Sequence, residues 1–190
     1  GYIRNNSTIV TENGHTADGM FLFNAGKGEL NAVISGNVMD YAGTQRAIAV
    51  QGGQDGASTI NLTATGNNID VKLDGTGNAV NGILAQSQVA DPSGAGSSLC
   101  ADIGGAGGLS NTFTHSLGGT MAGGDIRLRQ RFAANIAVPG YTGGGQDTTA
   151  VAAFLNSRNA EVSASTASSG GPPGAFTNTT PPGSSCKQPS

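Results

Sequence analysis

The chain has 190 residues, a formal net charge of −3, 11% charged residues and 32 glycines, with no tryptophan. That length suits one domain with a sizeable core, and the sparse charge argues against a nucleic-acid groove or a polybasic membrane patch. No run of 18 apolar residues is present, so no segment reads as a membrane-spanning helix.

The sequence opens on Gly1-Tyr2-Ile3-Arg4-Asn5-Asn6, with neither an initiator methionine nor a charged-then-apolar leader, and reads as the middle of a pattern in a processed or truncated product. The pattern is a small residue followed by asparagine. It recurs as Asn5-Asn6, Gly36-Asn37, Gly66-Asn67 and Ser110-Asn111, at intervals of 31, 30 and 44 residues. Apolar residues follow each copy in NNSTI, GNVM, GNNI and SNTF, and the runs LNAVIS, INLTAT and LCADIGG precede the last three. A second apolar run comes later in every unit: DGMFLF (18–23), RAIAV (46–50), NGILA (81–85) and GDIRLR (124–129).

Runs of four to six residues rich in Ile, Val, Leu and Phe, bounded by Gly and Asn, predict strands. A strand set that recurs every 30 to 44 residues with no long helix between copies predicts an all-β, right-handed parallel β-helix, a solenoid of about four coils over residues 1–145. Met20, Leu22, Ile48, Val50, Ile83, Ile126 and Leu128 are expected on one face of its core. Asn37, Asn67 and Asn111 are expected to stack as a ladder at a sharp turn, each asparagine tolerating the left-handed conformation and bonding along the stack through its amide. The Gly- and Ser-rich insertion at 90–99 and a smaller bulge at 106–108 read as flexible surface chain.

Beyond GGDIRLRQRF the pattern changes. Asp147 is a good helix N-cap, and Val151, Phe154 and Leu155 fall on one helical face, which predicts a short capping helix. Residues 146–190 are expected to hold this helix and a Pro/Gly/Ser-rich tail belonging to the same domain. Cys100 and Cys186 have no CxxC or Cys/His metal spacing. Two readings stay open for them: in an exported protein, one long-range disulfide that pins the tail to the solenoid, or two unrelated reduced thiols.

The segments LCADIGG, LSNTFTHSLGGTMAGGDIRLRQRF, VPGYTGG and QDTTAVAAFLNSRN, with the late cysteine, cover about residues 99–186. Over that stretch the chain resembles the C-terminal region of large, secreted, Gly-rich bacterial β-strand-repeat proteins. The resemblance implies a long, right-handed β-helix surface protein, often adhesin-like or autotransporter-like, and implies no catalytic residues.

Arg127, Arg129 and Arg131 alternate with Ile126, Leu128 and Gln130, so a strand here places three guanidinium groups on one outward face. They are candidates for an anionic glycan or a partner surface, since arginine grips carboxylate and sulfate groups bidentately. The competing reading is a solvated edge that keeps the last strand from pairing with strangers. Asp18, Asp40, Asp70, Asp74, Asp102 and Asp125, with His15 and His115, form no recognisable catalytic constellation. Asp55 and Asp147 sit in Gly-rich turns without the nonapeptide series of calcium-bound β-rolls. No catalytic, cofactor or metal residue is therefore assigned.

These features together predict a non-enzymatic extracellular or cell-surface module, structural or adhesive, that associates end to end with copies of itself. The alternatives are a polysaccharide-binding or polysaccharide-processing β-helix and, more remotely, a phage fibre fragment.

Overall fold

The computed structural model describes residues 1–6, 9–10, 16–72, 81–90, 93–116, 123–132, 134–162, 165–170, 175–179, 181 and 183–190. It is mostly β, with one α-helix, and every strand pairing is parallel. The strands come in triplets. In chain order they are β1 (Tyr2–Arg4), β2 (Ile9–Val10) and β3 (Met20–Asn24), then β4 (Glu29–Ser35), β5 (Val38–Tyr41) and β6 (Arg46–Gly52). Next come β7 (Thr59–Thr65), β8 (Asn68–Val71) and β9 (Asn81–Gln86), then β10 (Ser98–Ile103), β11 (Thr112–Thr114) and β12 (Ile126–Arg129). The chain ends with β13 (Asn135–Ala137), α1 (Thr148–Ser157), β14 (Ser165–Ser168) and β15 (Phe176–Thr177).

Each member of a triplet joins a different sheet. The six-stranded sheet runs β1-β4-β7-β10-β13-β15, the four-stranded sheet β11-β8-β5-β2, and the five-stranded sheet β14-β12-β9-β6-β3. The chain thus visits three parallel sheets in rotation, and each visit adds one strand beside the last.

The register explains why the repeat is legible. In the five-stranded sheet Met20 aligns with Ile48, Ile83 and Ile126, and Leu22 aligns with Val50, Ala85 and Leu128. Period-two alternation sends these columns to one face, and a slip of one residue would turn every column outward. Ile48, Val50, Ile83, Ile126 and Leu128 are fully buried, while Met20 and Leu22 on the outermost strand are half-buried. Ile60, Leu62 and Leu99 from the six-stranded sheet and Ile69 and Phe113 from the four-stranded sheet join them in one hydrophobic cluster.

Three features depart from the sequence expectation. The strands do not stop after four units: β13, β14 and β15 extend two of the sheets, so the six-stranded sheet records six passes of the chain. In particular, β14 and β15 form within the segment that composition reads as tail. Ser165-Thr166-Ala167-Ser168 carries no apolar alternation. It becomes a strand because β12 offers it an unpaired edge, on which Ile126 aligns with Ser165 and Arg129 with Ser168. The helix is also not terminal. It interrupts the last pass between β13 and β14, and Val151 and Leu155 lie fully buried in the core cluster while Asp147 Oδ1 accepts the Ala150 N–H at 2.9 Å. Finally, the 90–99 insertion is tied down in its described part. The amides of Val89 and Ala90 donate to the Gly53 carbonyl, Ser97 Oγ accepts the Ser58 N–H at 3.1 Å, and Gly94 packs so closely on Gly53 that a Cβ would overlap its carbonyl.

The last residues form a strap across the six-stranded sheet. Cys186 is bonded to Cys100 of β10, with sulfurs 1.99 Å apart, at a sequence separation of 86. From there Gln188 Nε2 donates to Thr63 Oγ1 of β7 at 2.9 Å, and Lys187 Nζ meets Glu29 Oε2 of β4 at 2.6 Å. Tyr2 Oη of β1 then donates to the Pro189 carbonyl at 2.7 Å. Four consecutive strands of one sheet are thereby held by four consecutive residues.

Candidate functional site

The turn between the six-stranded and four-stranded sheets carries a column of asparagines. Asn37 Nδ2 donates to Asn67 Oδ1 at 2.9 Å, and Asn67 Nδ2 donates to Asn111 Oδ1 at 2.8 Å. In each case the same oxygen also accepts the backbone N–H of the lower asparagine, at 3.1 Å. The second Nδ2–H of each residue goes to a backbone carbonyl one strand earlier: Ile3 for Asn37, Ile34 for Asn67 and Ala64 for Asn111. Every polar atom of a buried amide is thus used.

The column is longer than the repeat suggests. Asn6 Nδ2 donates to Asn37 Oδ1 at 2.7 Å, and Asn111 Nδ2 donates to Asn159 Oδ1 at 2.8 Å. Asn159 escapes the sequence pattern because α1 lengthens the interval before it and Arg158, not a small residue, precedes it. Ser110 before Asn111 is extended (φ −64°), but at three of the turns the left-handed conformation expected of the ladder asparagines falls instead on the residue before, Asn5 (φ 53°), Gly36 (φ 65°) and Gly66 (φ 65°). With the turn absorbed there, the next N–H is free to point along the stack.

The three arginines form the other candidate site. Arg127 and Arg129 lie on the outward face of β12, flanked in register by Leu84 and Gln86 of β9 and by Thr166 and Ser168 of β14. The strand ends at Arg129, so Arg131 is carried on a bend, not on the strand. All three side chains are half-buried. They open onto a groove of about 290 Å³ lined also by Phe132, Ser168 and Gly170.

The groove has a rigid floor. The Gln130 side chain is buried, its Nε2 donates to the Phe132 and Ala134 carbonyls at 2.8 Å, and its Oε1 accepts from Ser169 Oγ and the Gly170 N–H at 2.7 Å. Phe132 is held at φ 52°, a costly conformation for an aromatic residue, and Arg131 lies over its ring at 4.7 Å. Gly170 packs on the Phe132 amide with no room for a Cβ.

The groove is electrostatically unbalanced. Arg46, Lys72, Arg158 and Lys187 each pair with a carboxylate, at 2.7, 2.7, 2.6 and 2.6 Å. Among the described residues none lies within ion-pairing distance of Arg127, Arg129 or Arg131. Arg129 gives one Nη1–H to Gln86 Oε1 at 3.2 Å and Arg131 one to the Val89 carbonyl at 2.9 Å, while the Arg127 guanidinium makes no hydrogen bond among the described residues. Burial, then the charges of Arg131 and Arg127, draw the Arg129 guanidinium below its ordinary pKa.

The acidic residues are dispersed. Asp18 is engaged by Arg46, Asp40 by Lys72 and Asp102 by Arg158, while Asp70 accepts from Ser116 and Thr114. Burial raises the Asp102 pKa despite the opposing charge of Arg158. Asp55 is exposed and Asp147 caps α1; among the described residues no group of three or more His, Cys, Asp or Glu side chains is placed to hold a metal. Asp74 and His15 lie outside the described residues.

One pair was not legible in the sequence. His115 Nε2 lies 2.7 Å from Asp125 Oδ1, and the carboxylate is fully buried. The two residues close a loop between β11 and β12, and no spacing rule marks them. Among the described residues no hydroxyl or thiol bonds to the imidazole.

No protein-family model, curated protein or solved structure matches the chain.

Proposed function

We propose that the chain is a right-handed parallel β-helix that serves outside the cell as a structural or adhesive module, without a catalytic role. The observation that carries this reading is the in-register rotation through three parallel sheets, with an asparagine column running through every turn of one kind. Parallel strands that return to the same sheet through a crossover do so right-handedly in nearly all proteins. A long-range disulfide suits an oxidising compartment. The likeness of residues 99–186 to Gly-rich bacterial surface repeats points to the same setting.

The reading includes end-to-end association. β1, β2 and β3 are the outermost strands of their sheets at one end. There an apolar hollow of about 150 Å³ lies among Tyr2, Ile3, Leu22, Leu30 and Ile34, and Phe21 and Phe23 stack at 5.5 Å in solvent, Phe21 being 51% exposed. An unpaired strand beside exposed core residues accepts another parallel strand. At the opposite end the outermost strands are β15, β11 and β14, the last with α1 packed against it. Association through unlike ends is heterologous and makes a linear assembly.

Light scattering across a concentration series, with electron microscopy at the highest concentration, tests it. Linear oligomers that disappear in Phe21→Lys/Phe23→Lys are expected. A wild-type chain that stays monomeric at all concentrations overturns the self-assembling form of the proposal.

A further inference from the structure

We propose that the groove on the outer face of β12 binds an acidic polysaccharide, taking sugar carboxylate or sulfate groups between Arg127, Arg129 and Arg131. The inference is independent of end-to-end association, since β12 is not one of the strands at the open end.

In a chain of net charge −3 with only nine cationic side chains, three stand on one short segment without a carboxylate partner among the described residues. Four of the other six are paired. Like charges set side by side and half-buried oppose folding unless something compensates them. An oxyanion from outside supplies that compensation, and guanidinium groups bind carboxylate and sulfate through two parallel N–H donors.

The donors left over are suitably placed. Arg127 keeps its whole fork, and Arg129 and Arg131 each spend only one Nη1–H on Gln86 and Val89, hydrogen bonds that fix where the rest of the fork points. The Ser168 hydroxyl lines the same groove and makes no hydrogen bond among the described residues. The Gln130 amide locks the Phe132 bend and the Ser169-Gly170 backbone behind them, so little order remains to be gained on binding. Phe132, with its strained backbone, lines this groove, and strain of this kind clusters at ligand-binding sites.

The ligand class follows from shape and surroundings. Arg127 and Arg129 are two residues apart on an extended strand, so their Cα atoms are about 6.6 Å apart, and Arg131 follows on the bend beyond the strand end, lining the same groove. A row of cations along a shallow groove fits a linear chain bearing repeated anions better than one compact anion. A nucleic acid is a poorer fit. The net charge is negative, and among the described residues lining the groove the one ring, Phe132, is already stacked on Arg131 and offers bases no free platform.

The test is isothermal titration of the full chain at low salt with a galacturonate oligomer, a sulfated oligosaccharide, a neutral oligosaccharide of equal length and a single-stranded oligonucleotide. Binding of the galacturonate or the sulfated sugar, with no binding of the neutral one, is expected; whichever of the two binds more tightly identifies the natural oxyanion. Arg127→Gln weakens that binding by about tenfold or more, because one charge-assisted contact is lost. Its thermal unfolding temperature should not fall and should rise slightly, since the Arg127 side chain has no hydrogen-bond or ion-pair partner among the described residues and its removal relieves repulsion in the row. Arg127→Lys is expected to recover part of the loss, having the charge but not the fork. Three results overturn the proposal: no acidic sugar binds at millimolar concentration, Arg127→Gln binds as the wild type does, or the oligonucleotide binds more tightly than either acidic sugar.

Discussion

Asn67 Nδ2 and Asn111 Oδ1 lie 2.8 Å apart although 44 residues of chain separate them, whereas Asn37 and Asn67 make the same contact across 30. The stacking distance is indifferent to how much chain loops out between two layers. This is why the column persists through insertions, and why its loss at an inner position should be expensive.

Asn67→Ala is therefore expected to destabilise the chain by about 3 to 5 kcal/mol. It strands the Asn37 backbone N–H and one Asn37 Nδ2–H in a dry interior, and takes a side-chain donor from the Ile34 carbonyl and from Asn111 Oδ1, which keeps only the residue-67 backbone N–H, at about 1 to 3 kcal/mol for each buried group left unmade. Asn6→Ala at the solvent-exposed end of the column should cost about 1 kcal/mol or less. Urea unfolding of the two variants side by side measures the difference.

Cys186→Ser should lower stability by about 4 kcal/mol, the chain-entropy value for a loop of this size. The β-sheet circular dichroism of the native state should be unchanged. Limited proteolysis with mass spectrometry should then find new cleavage confined to the segment around Lys187, whose remaining contacts with the sheet are exposed.

Acid should act through Asp70. Burial works against its carboxylate, but hydrogen bonds from the Ser116 hydroxyl and N–H and from Thr114, with the charge of Lys72, outweigh it and hold its pKa below the ordinary value. A carboxylate with a depressed folded pKa contributes stability that is present above its unfolded value of about 3.9 and is lost as pH falls through the folded one. Ser116→Ala should raise the Asp70 pKa in a carbon-13 NMR titration and flatten the loss of stability below about pH 4.

The helix should prove part of the core. Asp147→Ala removes the N-cap acceptor and should cost about 1 kcal/mol. Leu155→Ala empties a fully buried site in the core cluster and should cost about 3 kcal/mol. If α1 merely lay on the surface, both losses would be similarly small in urea unfolding.

The sequence was most readable where one rule acted alone. Ile48, Ile83 and Ile126 recur because a column of the stack must be apolar, and Asn37, Asn67 and Asn111 recur because the turn needs an amide with both ends free to bond. The arginine row was visible as an alternation with Ile126 and Leu128, but its bend at Phe132 and its floor at Gln130 were not, since a polar side chain bonded to four backbone and hydroxyl groups leaves no periodic trace. Ser165–Ser168 was illegible for a different reason. Its strand is imposed by the β12 edge and by α1 packing beside it, and small polar residues tolerate that without announcing it. The His115–Asp125 contact depends on how one loop closes, which no local pattern encodes.

The strap has a consequence for how the molecule comes apart. In a stack where each layer touches only its neighbours, unfolding is a graded peeling from the ends, and partly frayed species are populated. Here residues 186–189 bind β10, β7, β4 and β1 at once, so the outermost strand Tyr2–Arg4 cannot leave without also giving up a contact with a residue anchored three strands away. That single crosswise run couples distant layers directly. Fraying of β1 is thereby tied, through solvent-exposed contacts, to the disulfide at β10.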